Sequence, residues 1–146
     1  MFPLCMASFG ALILSFYLAF TLPQEASINT ATSTDISATN FIAYRESLLR
    51  YKNANPGASG SIPDSSLTFD PGYIRNYLWF NTISGGVLYV YGNTSNDVLN
   101  NLYQKTLNSN LVGTNSSGVL INETGASTGV SLPAIIPSGA IVFVGS

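Results

Sequence analysis

Asp64 and Asp70, which flank Ser65 to Phe69, are the only two acids that lie close together in a loop-like stretch. Two nearby carboxylates are the minimum equipment for hydrolysis by a general acid and a general base. The same residues have a plainer use, because Asp and Ser ahead of turns accept hydrogen bonds from local backbone amides. That use is the stronger expectation. Other chemistries fall by inventory. The chain has no His and a single Cys, Cys5, which excludes imidazole bases, Ser-His-Asp triads, thiol–imidazole pairs, Cys/His zinc sites and an intrachain disulfide. No Walker-type lysine follows Gly57-Ala58-Ser59-Gly60 and no G-x-G-x-x-G opens a helix, so neither nucleotide nor any other cofactor is expected. A serine activated by Lys52 or Lys105 has nothing in its favour over two solvated lysines. The reading is of a protein that is not an enzyme.

Residues suited to binding are more prominent. Arg45 falls, on a helical wheel, between Phe41, Leu48 and Leu49 on an otherwise apolar face, where a charge needs a partner. Its stem can lie along the core edge with the guanidinium in water or paired with Asp64 or Asp70; the alternative is a contact to another subunit. Tyr77, Trp79, Phe80, Tyr89 and Tyr91 join it as candidate interface residues, since Tyr and Trp are favoured at protein interfaces. Most of that aromatic mass must serve as core in a domain of this size. Only 5 Lys or Arg are present among 146 residues, and net charge is −2. Without a basic patch, no nucleic-acid partner is expected.

The elements that position these residues begin with an anchor. Residues 1–22 carry no charged side chain, and Glu25 is the first in the chain. A helix of about 20 residues covers the roughly 30 Å hydrocarbon core of a bilayer. No Lys or Arg precedes the apolar run and no small-x-small cleavage site follows it, so retention as a single-pass transmembrane helix is expected over cleavage as a signal. The weak charge balance puts the N-terminus in the cytoplasm and the rest of the chain in the periplasm of a double-membrane bacterium. Residues 23–33 read as a tether, and 34–146 as an exported α+β domain.

Within that domain, apolar spacing from Asp35 to Asn53 predicts an amphipathic helix capped by Ser33 or Thr34, with Glu46 placed to pair with Arg50. Asn55-Pro56-Gly57 ends it. Residues 57–72 are turn-rich, with one short edge strand at Leu67 to Phe69. Tyr77 to Ile83 and Val87 to Tyr91 form a hairpin around Gly85 and Gly86, which sets Ile83 opposite Leu88 and Phe80 opposite Tyr91. Both hairpin faces are apolar, so helices or a partner must cover them. Ser95 caps a second amphipathic helix, Asn96 to Asn108. Gly113 to Gly118 reads as a loop, Val119 to Ile121 as a strand, Gly125 to Gly129 as a flexible stretch, and the last apolar residues, Ala140 to Val144, as a strand. An antiparallel sheet packed against two amphipathic helices on one side follows.

Several of these stretches together carry a resemblance. They are the uncleaved apolar N-terminus, the helix ending in Asn55-Pro56, Gly60-Ser61-Ile62-Pro63-Asp64-Ser65-Ser66-Leu67, and Trp79 with Gly86-Val87-Leu88-Tyr89-Val90-Tyr91. The last is Leu132-Pro133-Ala134-Ile135-Ile136-Pro137-Ser138-Gly139. In these the chain resembles the small PilM family encoded with the type IVb thin pili of conjugative plasmids, as distinct from the actin-like ATPase of the same name. The matching residues are turn and core positions, so the resemblance carries no active site. It implies an inner-membrane component of thin-pilus biogenesis, used for mating in liquid, whose partners are other type IV pilus assembly proteins or a second copy of itself. A minor pilin is the nearest rival. The chain lacks a pilin's Gly, methylatable residue and Glu pattern, and its pair of C-terminal cysteines.

Overall fold

The computed structural model describes residues 31–145. The expected span 1–22 and most of the tether lie outside the described residues. Among the described residues no helix is long and apolar enough to cross a membrane. The chain divides into two compact units, Met1–Ser33 and Thr34–Ser146, and the second holds the site.

Helix α1 occupies 31–54. Ser33 and Thr34 do not start it, because the chain is already helical at 31. It stops where expected. Asn55 closes the last turn with both its backbone N–H and its side-chain amide donating to the Tyr51 carbonyl, each at 2.9 Å, and Pro56 prevents continuation. Ala38, Phe41, Tyr44 and Leu48, three or four residues apart, form its buried stripe.

The sheet has six strands, all antiparallel: β1 (Trp79–Ser84), β2 (Val87–Gly92), β3 (Val112–Ser116), β4 (Val119–Ile121), β5 (Ser127–Ser131) and β6 (Ile141–Gly145). Their spatial order is β1-β2-β6-β3-β4-β5. The β1–β2 register is the expected one, with Ile83 opposite Leu88 and Phe80 opposite Tyr91. Gly85 and Gly86 are the two-residue loop, both with positive φ (59° and 79°), as a turn matching the strand twist requires. The final strand slots between β2 and β3 and is buried at every position, which is why its sequence is an unbroken apolar run rather than an alternating one.

Helix α2 (Asn96–Lys105) buries Val98, Leu99, Leu102 and Tyr103. Ser95 occupies the cap position, but its side chain makes no capping bond. The helix ends three residues earlier than its apolar spacing suggests. Leu107 and Asn108 take left-handed backbone, and the Asn108 N–H bonds the Tyr103 carbonyl at 2.8 Å, closing the last turn. Both helices bury their stripes in one apolar cluster with Trp79, Ile83, Leu88, Val90, Val112, Ile141 and Phe143. The helices therefore lie on one side, as expected.

The other side of the hairpin is covered by the chain itself, where the sequence expectation had helices or a partner. Tyr89, Tyr91, Val142, Val144 and Leu120 pack there under Leu132, Ile136 and Ala140. A strap of the chain's own residues, 132–140, is the cover. Buried Asn115 holds it, donating to the Ile136 carbonyl at 2.8 Å and the Pro137 carbonyl at 3.1 Å. This explains a second correction: the Asn- and Ser-rich stretch Gly113 to Gly118 is mostly strand β3, its polar composition serving the strap. A third is that part of the Gly125 to Gly129 stretch enters β5, paired to β4 through a register shift. The expected strand at Leu67 to Phe69 is absent; a 3₁₀ turn, Asp64–Ser66, precedes it instead, and Gly60 makes the bridge to the sheet edge.

Candidate functional site

Strand β1 is a sheet edge, and an uncovered edge invites another strand. The chain closes it with three devices. Gly60 exchanges two 2.8 Å backbone hydrogen bonds with Ile83. Asn81, 4% exposed, clasps Ile62: its side-chain oxygen accepts from the Ile62 N–H at 2.8 Å, and its amide donates to the Ile62 carbonyl at 2.9 Å and to the Tyr44 hydroxyl at 2.8 Å. Arg75 donates to the Trp79 carbonyl at 2.7 Å.

Arg75 is the hub of the surface beside that edge. Its Nε donates to the Asp64 carboxylate at 2.6 Å, one Nη to the Tyr44 hydroxyl at 3.3 Å and the other to the Asn76 carbonyl. The guanidinium carbon also lies 4.2 Å from the Tyr44 ring centroid and 5.5 Å from that of Tyr77, within cation–π range. Burial pushes the Tyr44 phenol above its usual pKa, so it stays a neutral hydrogen-bonding group. Asn40 on α1 accepts from the Trp79 indole N–H at 2.8 Å and donates to the Ile74 carbonyl at 2.7 Å. Loop 70–78 is thereby fastened both to the helix and to β1.

Apolar side chains stand outward on this fastened loop. Ile74 is 80% exposed and Tyr77 79%, with Leu78 and, from α1, Ile36 also exposed. Together with Arg75 and Asn76 they line an open groove of about 510 Å³. Around the edge, exposed Phe80 stacks on Tyr91 with ring centroids 5.8 Å apart, next to exposed Ile135. Among the described residues Leu107, exposed on its own after α2, is the other large apolar side chain left in water; single exposed apolar residues are ordinary, whereas a group of them marks a contact surface.

Of the candidate interface residues, Tyr77 and Phe80 lie in this surface. Trp79 (0% exposed), Tyr89 and Tyr91 are core residues, and Arg45 is half-buried elsewhere on α1. Asp64 and Asp70 are each engaged by a separate arginine, Asp64 by Arg75 and Asp70 by Arg50 at 3.2 Å. Arg50 thus does not go to Glu46, and Arg45 receives neither acid. Lys105 is paired with Asp35 at 2.8 Å. Among the described residues no three His, Cys, Asp or Glu cluster as metal ligands do. Sequence reasoning missed Arg75, Asn81 and Asn40, whose side-chain bonds to Asp64, Ile62 and Trp79 reach 11, 19 and 39 residues along the chain. It also missed Leu78, and Ile74, for which one signal existed: apolar residues directly after Pro71-Gly72, where a turn would otherwise be polar.

A family model described as PilM matches residues 9–144 of the chain. Among solved structures, a protein named PilM from Escherichia coli B7A aligns with a TM-score of 0.63 at 21% identity, over 80% of this chain and 94% of that one. A pilM protein from Pseudomonas aeruginosa 2192 is 31% identical over 74% of this chain and 90% of its own, with a TM-score of 0.49. The first of these likenesses is one of fold. No curated protein matches the chain.

Proposed function

The chain belongs to the PilM family, associated with pilus biogenesis, and from that premise we propose that it is a non-enzymatic, inner-membrane component of the thin-pilus machine. In this reading the apolar residues 1–22 hold the protein in the membrane and the domain works in the periplasm, supporting conjugative mating. It acts by contact with other pilus assembly proteins. One observation carries the reading: the outward-facing side chains Ile74, Tyr77 and Leu78 sit on a loop that Arg75 and Asn40 hold in place. A preordered apolar surface loses little entropy on docking, which is what a protein contact requires. The carboxylates, in contrast, are engaged in ion pairs that fasten the same loop.

The test pairs two sets of substitutions in pilus-producing cells. Tyr77→Ser with Leu78→Ser removes apolar surface without touching the core, and is expected to cut piliation and liquid mating at least tenfold while the protein stays folded. Asp64→Asn with Asp70→Asn removes any carboxylate chemistry but keeps a side-chain oxygen to accept from Arg75 and Arg50, while Asn40 and the Arg75 bond to the Trp79 carbonyl still hold the loop, and is expected to leave both within about threefold. Loss of function in the second pair, with full function in the first, would transfer the activity to the carboxylates and sink the proposal.

A further inference from the structure

Arg45 is a half-buried cation with no ion pair among the described residues. It projects from α1 with Phe41 and Leu48, both buried, and partly buried Ile42 and Leu49 three and four residues away on the same face. Its guanidinium carbon lies 3.9 Å from the centroid of the Phe143 ring. Its Nε is occluded from solvent and has no hydrogen-bond partner. The three ion pairs among the described residues join Arg50, Arg75 and Lys105 to Asp70, Asp64 and Asp35, and no carboxylate among the described residues comes within ion-pair distance of Arg45. Glu46, its exposed neighbour on the helix, acts on it only through space, and burial pulls its pKa below the usual guanidinium value.

Such a group is costly. A half-buried guanidinium with an unsatisfied N–H loses hydration without an ionic partner in return, and an apolar side chain of similar length would fill the position with less penalty. With the guanidinium against the Phe143 ring and Nε occluded, the two Nη groups are the donors that a ligand can reach. Their fork matches the two oxygens of a carboxylate. A phosphate group, with its larger charge, draws on several cations, and the other cation of α1 without an ion pair, Lys52, stands seven residues or about 10 Å further along the helix. We propose that Arg45 is the receptor for a single carboxylate, that of an acidic residue flanked by apolar ones in a partner polypeptide. This contact is separate from the Tyr77 surface and rests on the proposed function only in supposing a protein partner.

The probe is the blocked tripeptide acetyl-Leu-Glu-Leu-amide, titrated onto the full-length protein in detergent while the Phe143 ring resonances are followed by NMR. The Glu peptide is expected to shift them saturably, and its Gln analogue to bind at least tenfold more weakly. Arg45→Met is expected to remove that difference and to raise the thermal midpoint by a few degrees. Arg45→Lys, which keeps the charge but not the fork, is expected to weaken the Glu peptide at least fivefold and keeps the test usable if the Met variant does not fold. Equal response to the Glu and Gln peptides, no response to either, or saturable shifts from inorganic phosphate instead would overturn the assignment. A strain lacking the protein but fully piliated would overturn the pilus role alone, leaving the peptide titration to stand by itself.

Discussion

Replacing Asn81 with Ala should unfasten the covered edge of the sheet. The Asn81 side chain satisfies both the N–H and the C=O of Ile62, at 2.8 and 2.9 Å, in a position where Ile62 is only 6% exposed. Its third bond, to the Tyr44 hydroxyl, is less critical, since that oxygen keeps contacts with Arg75 at 3.3 Å and Asp64 at 3.4 Å. Truncation therefore orphans two buried backbone groups, each costing about 1–3 kcal/mol. The sum, about 2–6 kcal/mol, is a large share of the roughly 5–15 kcal/mol that holds a domain together. Urea unfolding followed by circular dichroism reads this directly, as a lower midpoint at unchanged slope. Amide exchange supplies the local signature, because the Gly60 and Ile83 N–H groups should lose protection before the centre of the sheet does. A loss below about 1 kcal/mol, or equal exchange at Gly60, would refute the claim that this clasp closes the edge.

Two further changes probe the core. Gly92→Ala places a Cβ 2.5 Å from the Trp79 ring and 2.6 Å from the Leu78 carbonyl, so it should cost about 3 kcal/mol and shift the emission of Trp79, the only tryptophan in the chain. Tyr103 has a buried hydroxyl without a partner, and burial, with Glu123 adding to it, pushes its pKa up to about 12. Between pH 10 and about 12 the folded state keeps this proton while the unfolded chain gives it up. Stability thus falls as pH rises through that window. Tyr103→Phe should raise stability at neutral pH by about 1 kcal/mol and flatten the alkaline decline, as measured by denaturant midpoints at pH 7, 10 and 11.5.

The hairpin register was legible because Gly85-Gly86 and the flanking β-branched and aromatic runs are local signals that agree with each other. The helices were legible from their apolar spacing, though not their ends: α1 is already helical before Thr34, and α2 stops at Lys105 through left-handed residues that periodicity does not encode. Strands β3 and β5 were not legible. Their Gly, Ser, Thr and Asn content is that of loops, and what makes them strands is pairing with β6 and β4 together with the Asn115 clamp on the 132–140 strap. The site divides the same way. Exposed Tyr77 and Phe80 stand out by type, whereas Arg75 and Asn81 gain their roles from partners distant in sequence. Trp79, Tyr89 and Tyr91 were drawn to the candidate interface by aromatic type alone, and burial against the helices or the strap decides their role.

The central claim is tested most directly by purifying the tagged full-length protein from pilus-producing cells, comparing the detergent-solubilised inner membrane with sheared filaments. Recovery in the membrane fraction together with other pilus-machine proteins, lost when Tyr77 and Leu78 are replaced by Ser, is the predicted result. Recovery in the sheared pili would contradict it and make the protein a filament subunit.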